Sequence, residues 1–251
     1  ERYHWVTKYI NKYSFNYQTK AIAVSADVAE SIRKNIHPRI PVQTILNGVN
    51  VDFFVRNPAA GLETRKANGI APDSILIGTI AVFRFQKRLK EWIDVFKKMH
   101  QQFPSLRGCI VGDGILNPEI RAYLKEQGME DAIIMPGLQT NVLPWLSAMD
   151  IFMMTSEFEG LPVALLEAMS MECAVVCTDA GGIKEVIRDQ QDGFMVPLEQ
   201  WTTLEQPLTK LLQHPEMIRE YGARARQRVI HSFSLQSMVQ QTELLYKSIL
   251  P

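Results

Sequence analysis

The run Thr155-Ser156-Glu157-Phe158-Glu159-Gly160-Leu161-Pro162-Val163-Ala164-Leu165-Leu166-Glu167-Ala168-Met169-Ser170 carries the strongest signal in this chain. Pro162 suits the first residue of a helix, where its missing N–H would be unpaired anyway. Val163, Leu165, Leu166, Ala168 and Met169 make that helix apolar almost all round, so it belongs in an interior. Glu167 nevertheless lies inside it, with no Lys or Arg at helical spacing on either side. A buried carboxylate needs partners, and hydroxyls of a bound ligand would serve. Glu159 stands eight positions earlier on the entering loop, and Gly160 lets the backbone approach a ligand closely. Two carboxylates beside a helix N-terminus, which attracts anions, describe a site for something both polyhydroxylated and anionic. A sugar nucleotide is both. The alternative is a buried core helix with one stray carboxylate.

Outward from this run the pattern alternates. Apolar strands are expected at 75–82, 106–111, 132–135, 151–154, 174–178 and 194–196. Helices fall between them at 89–101, 118–127, 142–148, from 162 onward and at 183–188. Continuous apolar strands alternating with helices imply a doubly wound parallel α/β sheet covered on both faces. Further helices are expected at 201–213, 215–230 and 234–249. Upstream, Trp5, Tyr9 and Tyr13 recur every four residues beside Val6 and Ile10, the spacing of a helix over 1–20. A strand at 21–25 and a helix at 26–35 follow, with Ser25 or Asp27 as cap. Asn47-Gly48 marks a turn, and 56–72 reads as a polar connection with a short helix.

Composition excludes several classes. With 27 Lys and Arg against 27 Asp and Glu, no global field draws nucleic acid. No apolar run is long enough to span a bilayer. Cys109, Cys173 and Cys177 fall in or beside apolar strands and read as buried reduced thiols of a cytoplasmic protein. No Cys/His spacing suits zinc, and Asp52, Asp113 and Asp179 form no magnesium-type cluster, so no metal site is expected. The five histidines stand in no triad-like setting.

In open parallel sheets, ligands bind outside the carboxyl ends of the strands, and the unusual residues gather there. Arg84, Lys87 and Arg88 precede a helix, where three cations oppose the macrodipole unless an anion sits among them. Gly112-Asp113-Gly114 follows the second strand, with Asn117 where a dinucleotide fingerprint would have its third glycine. Pro136-Gly137-Leu138 follows the third strand. Gly181-Gly182 with Glu185 follows the fifth.

Glu159, Glu167 and the following Ala168-Met169 resemble the donor-site signature of retaining glycosyltransferase family 4, which has the GT-B fold: Glu, seven residues, Glu, then Ala-Met. The resemblance covers the chain from Ala21 onward, and the chain's Asn-Gly-Val-Asn segment departs from the family's Asn-Gly-Val-Asp at Asn50. It implies that Glu167 binds the ribose diol and Glu159 the donor-sugar hydroxyls. Gly160, Leu161, Pro162 and Val163 would meet the sugar and phosphate. Arg84 and Lys87 would neutralise the diphosphate, with Arg88 as the alternative to Lys87 because the loop is short. Gly112, Gly114 and Leu138 would lie near the nucleotide.

The same resemblance divides the chain. Residues 1–45 would be the tail of an N-terminal acceptor-binding domain that is mostly absent, 46–232 the nucleotide-sugar-binding Rossmann-like domain, and 233–251 a helix crossing back. The implied activity is retaining, metal-independent transfer from a nucleotide-diphosphate sugar, UDP-sugar favoured, to a glycan or lipid-linked acceptor. No cofactor is implied, since the nucleotide sugar is the substrate. Peripheral contact with the inner membrane face would come through the missing domain. A nucleotide-sugar-binding module without activity and a GT-B-type epimerase are the alternatives.

Overall fold

The structure is a computed structural model that describes residue 10 and residues 12–249. Trp5, Val6 and Tyr9 of the aromatic stripe lie outside the described residues, while Ile10 and Tyr13 are exposed. A small parallel sheet pairs β1 (Ala21–Ala23) with β2 (Val42–Thr44). Helix α1 (Ala26–Ile36) joins them. Ser25 caps it, its Oγ accepting from the Val28 amide at 3.1 Å, which satisfies one of the unpaired N–H groups of the first turn. The helix stops at His37, which adopts left-handed backbone.

The polar connection contains a ten-residue helix, α2 (Pro58–Ala67), longer than expected. Asn57 caps it and Pro58 occupies its first position, so both start signals agree. Arg65, buried on this helix, donates to the carbonyls of Ser74 and Ala148 and pairs with Asp150 at 2.6 Å. That network pins α2 to the start of the main sheet.

The main sheet has six parallel strands: β3 (Leu76–Ile80), β4 (Arg107–Val111), β5 (Ile133–Gly137), β6 (Ile151–Met154), β7 (Ala174–Asp179) and β8 (Phe194–Pro197). Their order is β5-β4-β3-β6-β7-β8. The chain builds one half outward from β3, returns to β3's other side as β6, and builds the second half. The order therefore reverses between β3 and β6, and a crevice opens there. The intervening helices are α3 (Leu89–Gln102), α4 (Asn117–Glu126), α5 (Leu143–Ala148), α6 (Val163–Ser170) and α7 (Ile183–Val186). Helices α8 (Glu205–Gln213), α9 (Pro215–Ser232) and α10 (Leu235–Lys247) follow.

Strand residues alternate between two cores. Leu76, Cys109, Phe152, Val175 and Cys177 pack with α6 and with Ala225 and Val229 of α9. Ile77, Ile110, Ile151 and Val176 pack with Trp92, Phe96 and Met99 of α3 and with Leu208 and Leu211 of α8. The three cysteines are free and buried, and burial pushes their thiols up, Cys173 to about 11. Among the described residues, no helix is long and apolar enough to cross a membrane.

Two expectations shift. Helix α6 begins at Val163: Pro162 is extended at ψ 117 and serves as the cap residue, its carbonyl accepting from Leu165 at 3.2 Å. The helix expected from 201 begins at Glu205, after a 3-10 segment over Leu198–Leu204. Pro207 explains the delay. A helix started at 201 would bury Pro207 in its interior, where the ring clashes and a hydrogen bond is lost.

The two passages between the small sheet and the main sheet are clamped together. The Val49 amide donates to the Phe233 carbonyl at 2.9 Å, and the Leu235 amide donates to the Val49 carbonyl at 2.8 Å. Gly48 permits this, since a Cβ there would sit 2.5 Å from the Ser234 oxygen. At Asn50, Oδ1 accepts from the amides of Asp52 and Phe53, both at 3.1 Å. An Asp would make the same turn.

Candidate active site at the strand-order reversal

The loop after β3 and the loop after β6 face each other across the crevice. Arg84 leads into a 3-10 turn over Phe85–Lys87, which ends at Arg88 in left-handed backbone, φ 49. Such backbone is strained for a residue with a side chain, and its neighbours hold it. The Thr155 hydroxyl donates toward the carbonyls of Lys87 and Arg88, at 3.1 and 2.9 Å. The Glu157 amide donates to the Gln86 carbonyl at 2.8 Å.

On this frame Lys87 Nζ meets Glu159 Oε1 at 2.5 Å, and the Ser156 hydroxyl donates to the same oxygen at 2.7 Å. The two charged side chains are only 18% and 10% exposed, so the pair sits in the crevice and not on its rim. Arg84 is exposed at the mouth of the turn. Arg88 points elsewhere: Nε donates to Glu91 at 3.0 Å, and the guanidinium lies 5.7 Å from the Trp201 ring centre.

Glu167 is half-buried in the second turn of α6. Its carboxylate makes no hydrogen bond or ion pair with any described residue, and burial pushes its carboxyl above the ordinary range. A desolvated acid without partners is costly. Gln86 adds a second such feature, an amide oxygen that is buried and unpaired among the described residues. Leu161 and Pro162 are buried, and Val163 is exposed at the start of α6. Gly160 is crowded by protein: a Cβ there would lie 3.1 Å from Val24 Cγ2.

The glycine loops close the crevice floor. Gly112 has φ 132, and a Cβ would sit 1.9 Å from the Ala81 oxygen. Gly114 lies against Phe83 main chain, where a Cβ would sit 2.6 Å from its N and O, and the Phe83 amide donates to Asp113 O at 2.8 Å. Asp113 is exposed, its Oδ1 accepting from Asn117 Nδ2 at 2.6 Å. Leu138 stands 75% exposed beside them. Opposite, Gly181 and Gly182 abut the carbonyls of Glu159 and Gly160, and Glu185 turns away to the small sheet's helix. Its carboxylate accepts from the amides of Ala26 at 2.9 Å and Asp27 at 3.0 Å.

Sequence reasoning passed over four participants. Ser156 holds Glu159, Thr155 props the Lys87 loop, and the Thr178 hydroxyl donates to the Ser156 carbonyl at 2.7 Å. Asn47 Nδ2 donates to the Leu161 carbonyl at 2.8 Å. A signal existed for the first two, since hydroxyl residues directly after a fully buried strand must find partners. A cavity of about 930 Å³ lies elsewhere, at the starts of β3 and β6. The half-buried Arg56 and the buried Arg65 that line it are committed to main-chain carbonyls, so it is a structural groove. Among the described residues no three His, Cys, Asp or Glu side chains are placed to hold a metal ion.

Residues 62–228 match the family described as Glycosyl transferases group 1. Over 230 residues the chain is 29% identical to N-acetyl-alpha-D-glucosaminyl L-malate synthase of Bacillus anthracis, covering 91% of this chain and 59% of that protein. It is 23% identical over 235 residues to the lipopolysaccharide core biosynthesis mannosyltransferase LpsB of Rhizobium meliloti, covering 90% and 66%. The chain thus spans about three fifths to two thirds of these relatives. Anabaena HepE, solved in complex with UDP and glucose, superposes with a TM-score of 0.89 at 18% identity, over 98% of this chain and 68% of that one.

Proposed function

The chain belongs to the group 1 glycosyl transferases, and from that premise we propose that it is the donor-binding part of a GT-B enzyme of family 4. The reaction is transfer of a sugar from a UDP-sugar to a glycan or lipid-linked acceptor, with retention of configuration. The observation that carries this reading is the crevice between β3 and β6, where Lys87 and Glu159 are paired, together with the half-buried Glu167 on the helix after β6, which has no partner among the described residues. A nucleotide sugar answers each feature. Its diphosphate takes Lys87 and Arg84, its sugar hydroxyls take Glu159, and its ribose diol takes Glu167.

The Lys87–Glu159 contact is then a resting arrangement in which each group holds the other where its ligand group arrives. Cations and the N-terminus of α6 stabilise the charge that develops on the leaving diphosphate, by preorganisation of fixed charges and dipoles. That assigns the electrostatic work to the protein's own groups, without a metal or cofactor. Gly112, Gly114 and Leu138 supply the wall for the base. Peripheral membrane contact belongs to the acceptor side and follows only if the acceptor is lipid-linked.

The test is a calorimetric screen of UDP-sugars and GDP-sugars against NAD, followed by product NMR where transfer occurs. UDP-sugar binding that is abolished in a Lys87→Ala, Glu167→Gln double variant supports the assignment. Preferential NAD binding defeats it, and inversion at the anomeric carbon defeats the retaining part alone.

A further inference from the structure

Glu185 lies outside the crevice, yet its carboxylate makes both of its strong hydrogen bonds to a separate part of the molecule. Oε2 accepts from the Ala26 amide at 2.9 Å and Oε1 from the Asp27 amide at 3.0 Å. These are the first two amides of α1, and no carbonyl within the helix can satisfy them. Ser25 already takes the Val28 amide. The two side chains together satisfy three of the four open donors, and the negative charge of Glu185 suits the positive end of the helix.

The other side of Glu185 is held rigidly. Arg228 of α9 donates to the carbonyls of Glu185 and Val186, at 3.0 and 3.2 Å. Its guanidinium covers the Phe233 ring at 5.2 Å, and Phe233 is part of the clamp on Val49. Three and four residues before Glu185, Gly182 and Gly181 rest on the signature loop. The Gly182 amide donates to the Glu159 carbonyl at 3.2 Å, and Cβ atoms at Gly181 and Gly182 would lie 2.1 and 1.8 Å from the carbonyl oxygens of Glu159 and Gly160. The start of α1 touches the same loops, at Val24 and Ser25. There is no slack between α1, the Gly181-Gly182 turn and Glu159.

We infer that Glu185 is a positioning residue, a latch that ties the α1 end of the small sheet to the Gly181-Gly182 turn and through it sets where Glu159 stands. The role assigned to Glu159 rests on the donor-site reading above. The mechanical coupling does not. When the small sheet's unit moves away, the Ala26 and Asp27 bonds break, the turn relaxes, and Glu159 loses its backing. Sugar contact is thereby made conditional on the two parts being closed on each other.

Amide hydrogen exchange on the 251-residue chain tests this, with Glu185→Gln and Ala26→Pro as variants. Gln keeps the shape of Glu185 but presents one acceptor and one N–H where two acceptors stood. Proline is tolerated at the first position of a helix and lacks the N–H that Glu185 takes, and Ser25 before it is already extended. The expected result is exchange at Gly182 at least tenfold faster in both variants. The Glu157 amide, which bonds the other loop, keeps its wild-type rate, and UDP affinity stays within twofold. Unchanged Gly182 exchange beside lost protection at Asp27 would overturn the latch and leave Glu185 a local helix cap. A UDP affinity that falls as far as exchange rises would overturn it too, by making Glu185 a residue of general stability. Failure of wild type to bind UDP would count against the donor-site reading and would leave the exchange result standing.

Discussion

Nζ of Lys87 and Oε1 of Glu159 lie 2.5 Å apart across the gap between β3 and β6, seventy-two positions apart in the chain. The pair is enclosed enough for its charges to act on each other with little screening, and each group is the nearest strong partner the other has. A ligand that binds here must exchange that contact for its own. Glu159→Gln is therefore expected to leave UDP affinity unchanged or raised, because Lys87 is released.

Lys87→Ala should weaken UDP by roughly 1.5–3 kcal/mol, the scale of a hydrogen bond to a charged group, and leave uridine as it was. The loss should shrink as salt rises. Calorimetry with both ligands measures it. Equal weakening of uridine would move Lys87's role from the phosphates to the fold.

Glu167 predicts a pH effect. Burial holds its carboxyl above the ordinary 4.5, so the folded chain keeps this proton to higher pH than the unfolded chain does. Stability is then unaffected below 4.5 and declines as pH rises from there through the raised value. Glu167→Gln should remove that decline, giving a thermal midpoint at pH 7 equal to or above wild type. Ribose hydroxyls favour the ionised form, so wild-type uridine affinity should rise with pH over the same window, and the variant's should be weaker and flat. A variant melting well below wild type at pH 7 would contradict this account of Glu167.

Gly182 has an ordinary φ of −72, so Gly182→Ala tests space alone. The added methyl would lie 1.8 Å from the Gly160 oxygen and 3.0 Å from Ser25 Cβ. Overpacking of this kind costs about 1–3 kcal/mol, and UDP-sugar affinity should fall towards that of UDP as Glu159 shifts. Gly128→Ala is the control. Its φ of 67 makes the methyl cost about 1–2 kcal/mol, with nothing within 4 Å and the crevice untouched. Urea unfolding and ligand titration of both variants decide the matter.

Asn47 reaches from the passage beside the small sheet to the Leu161 carbonyl. Asn47→Ala should cost about 1 kcal/mol, the net worth of one hydrogen bond. Asn47→Asp should cost more, since a carboxylate oxygen would then face a carbonyl oxygen. A thermal melt ranking Asp at or above Ala would show that the amide bond contributes nothing.

The local content of this chain is legible in its sequence. Continuous apolar runs of strand length and helical spacing between them are properties of neighbouring residues, so the alternation of strands and helices and the parallel α/β class follow from them. That Glu167 has no charged partner on its own helix was legible for the same reason: every residue within one helical turn of it is uncharged. What tertiary structure decided is the strand order and everything that depends on it. Nothing local says that β6 returns beside β3, and only that return brings Glu159 to Lys87 in place of Arg88, whose backbone turns it onto Glu91 and Trp201. Glu185 is the plainest case. In sequence it is an acid on a short helix, and its partners, the Ala26 and Asp27 amides, are main-chain groups that every sequence possesses. Such bonds leave no mark in residue identity, so they become visible only when the chain has folded and the end of one helix is set against the side chain of another.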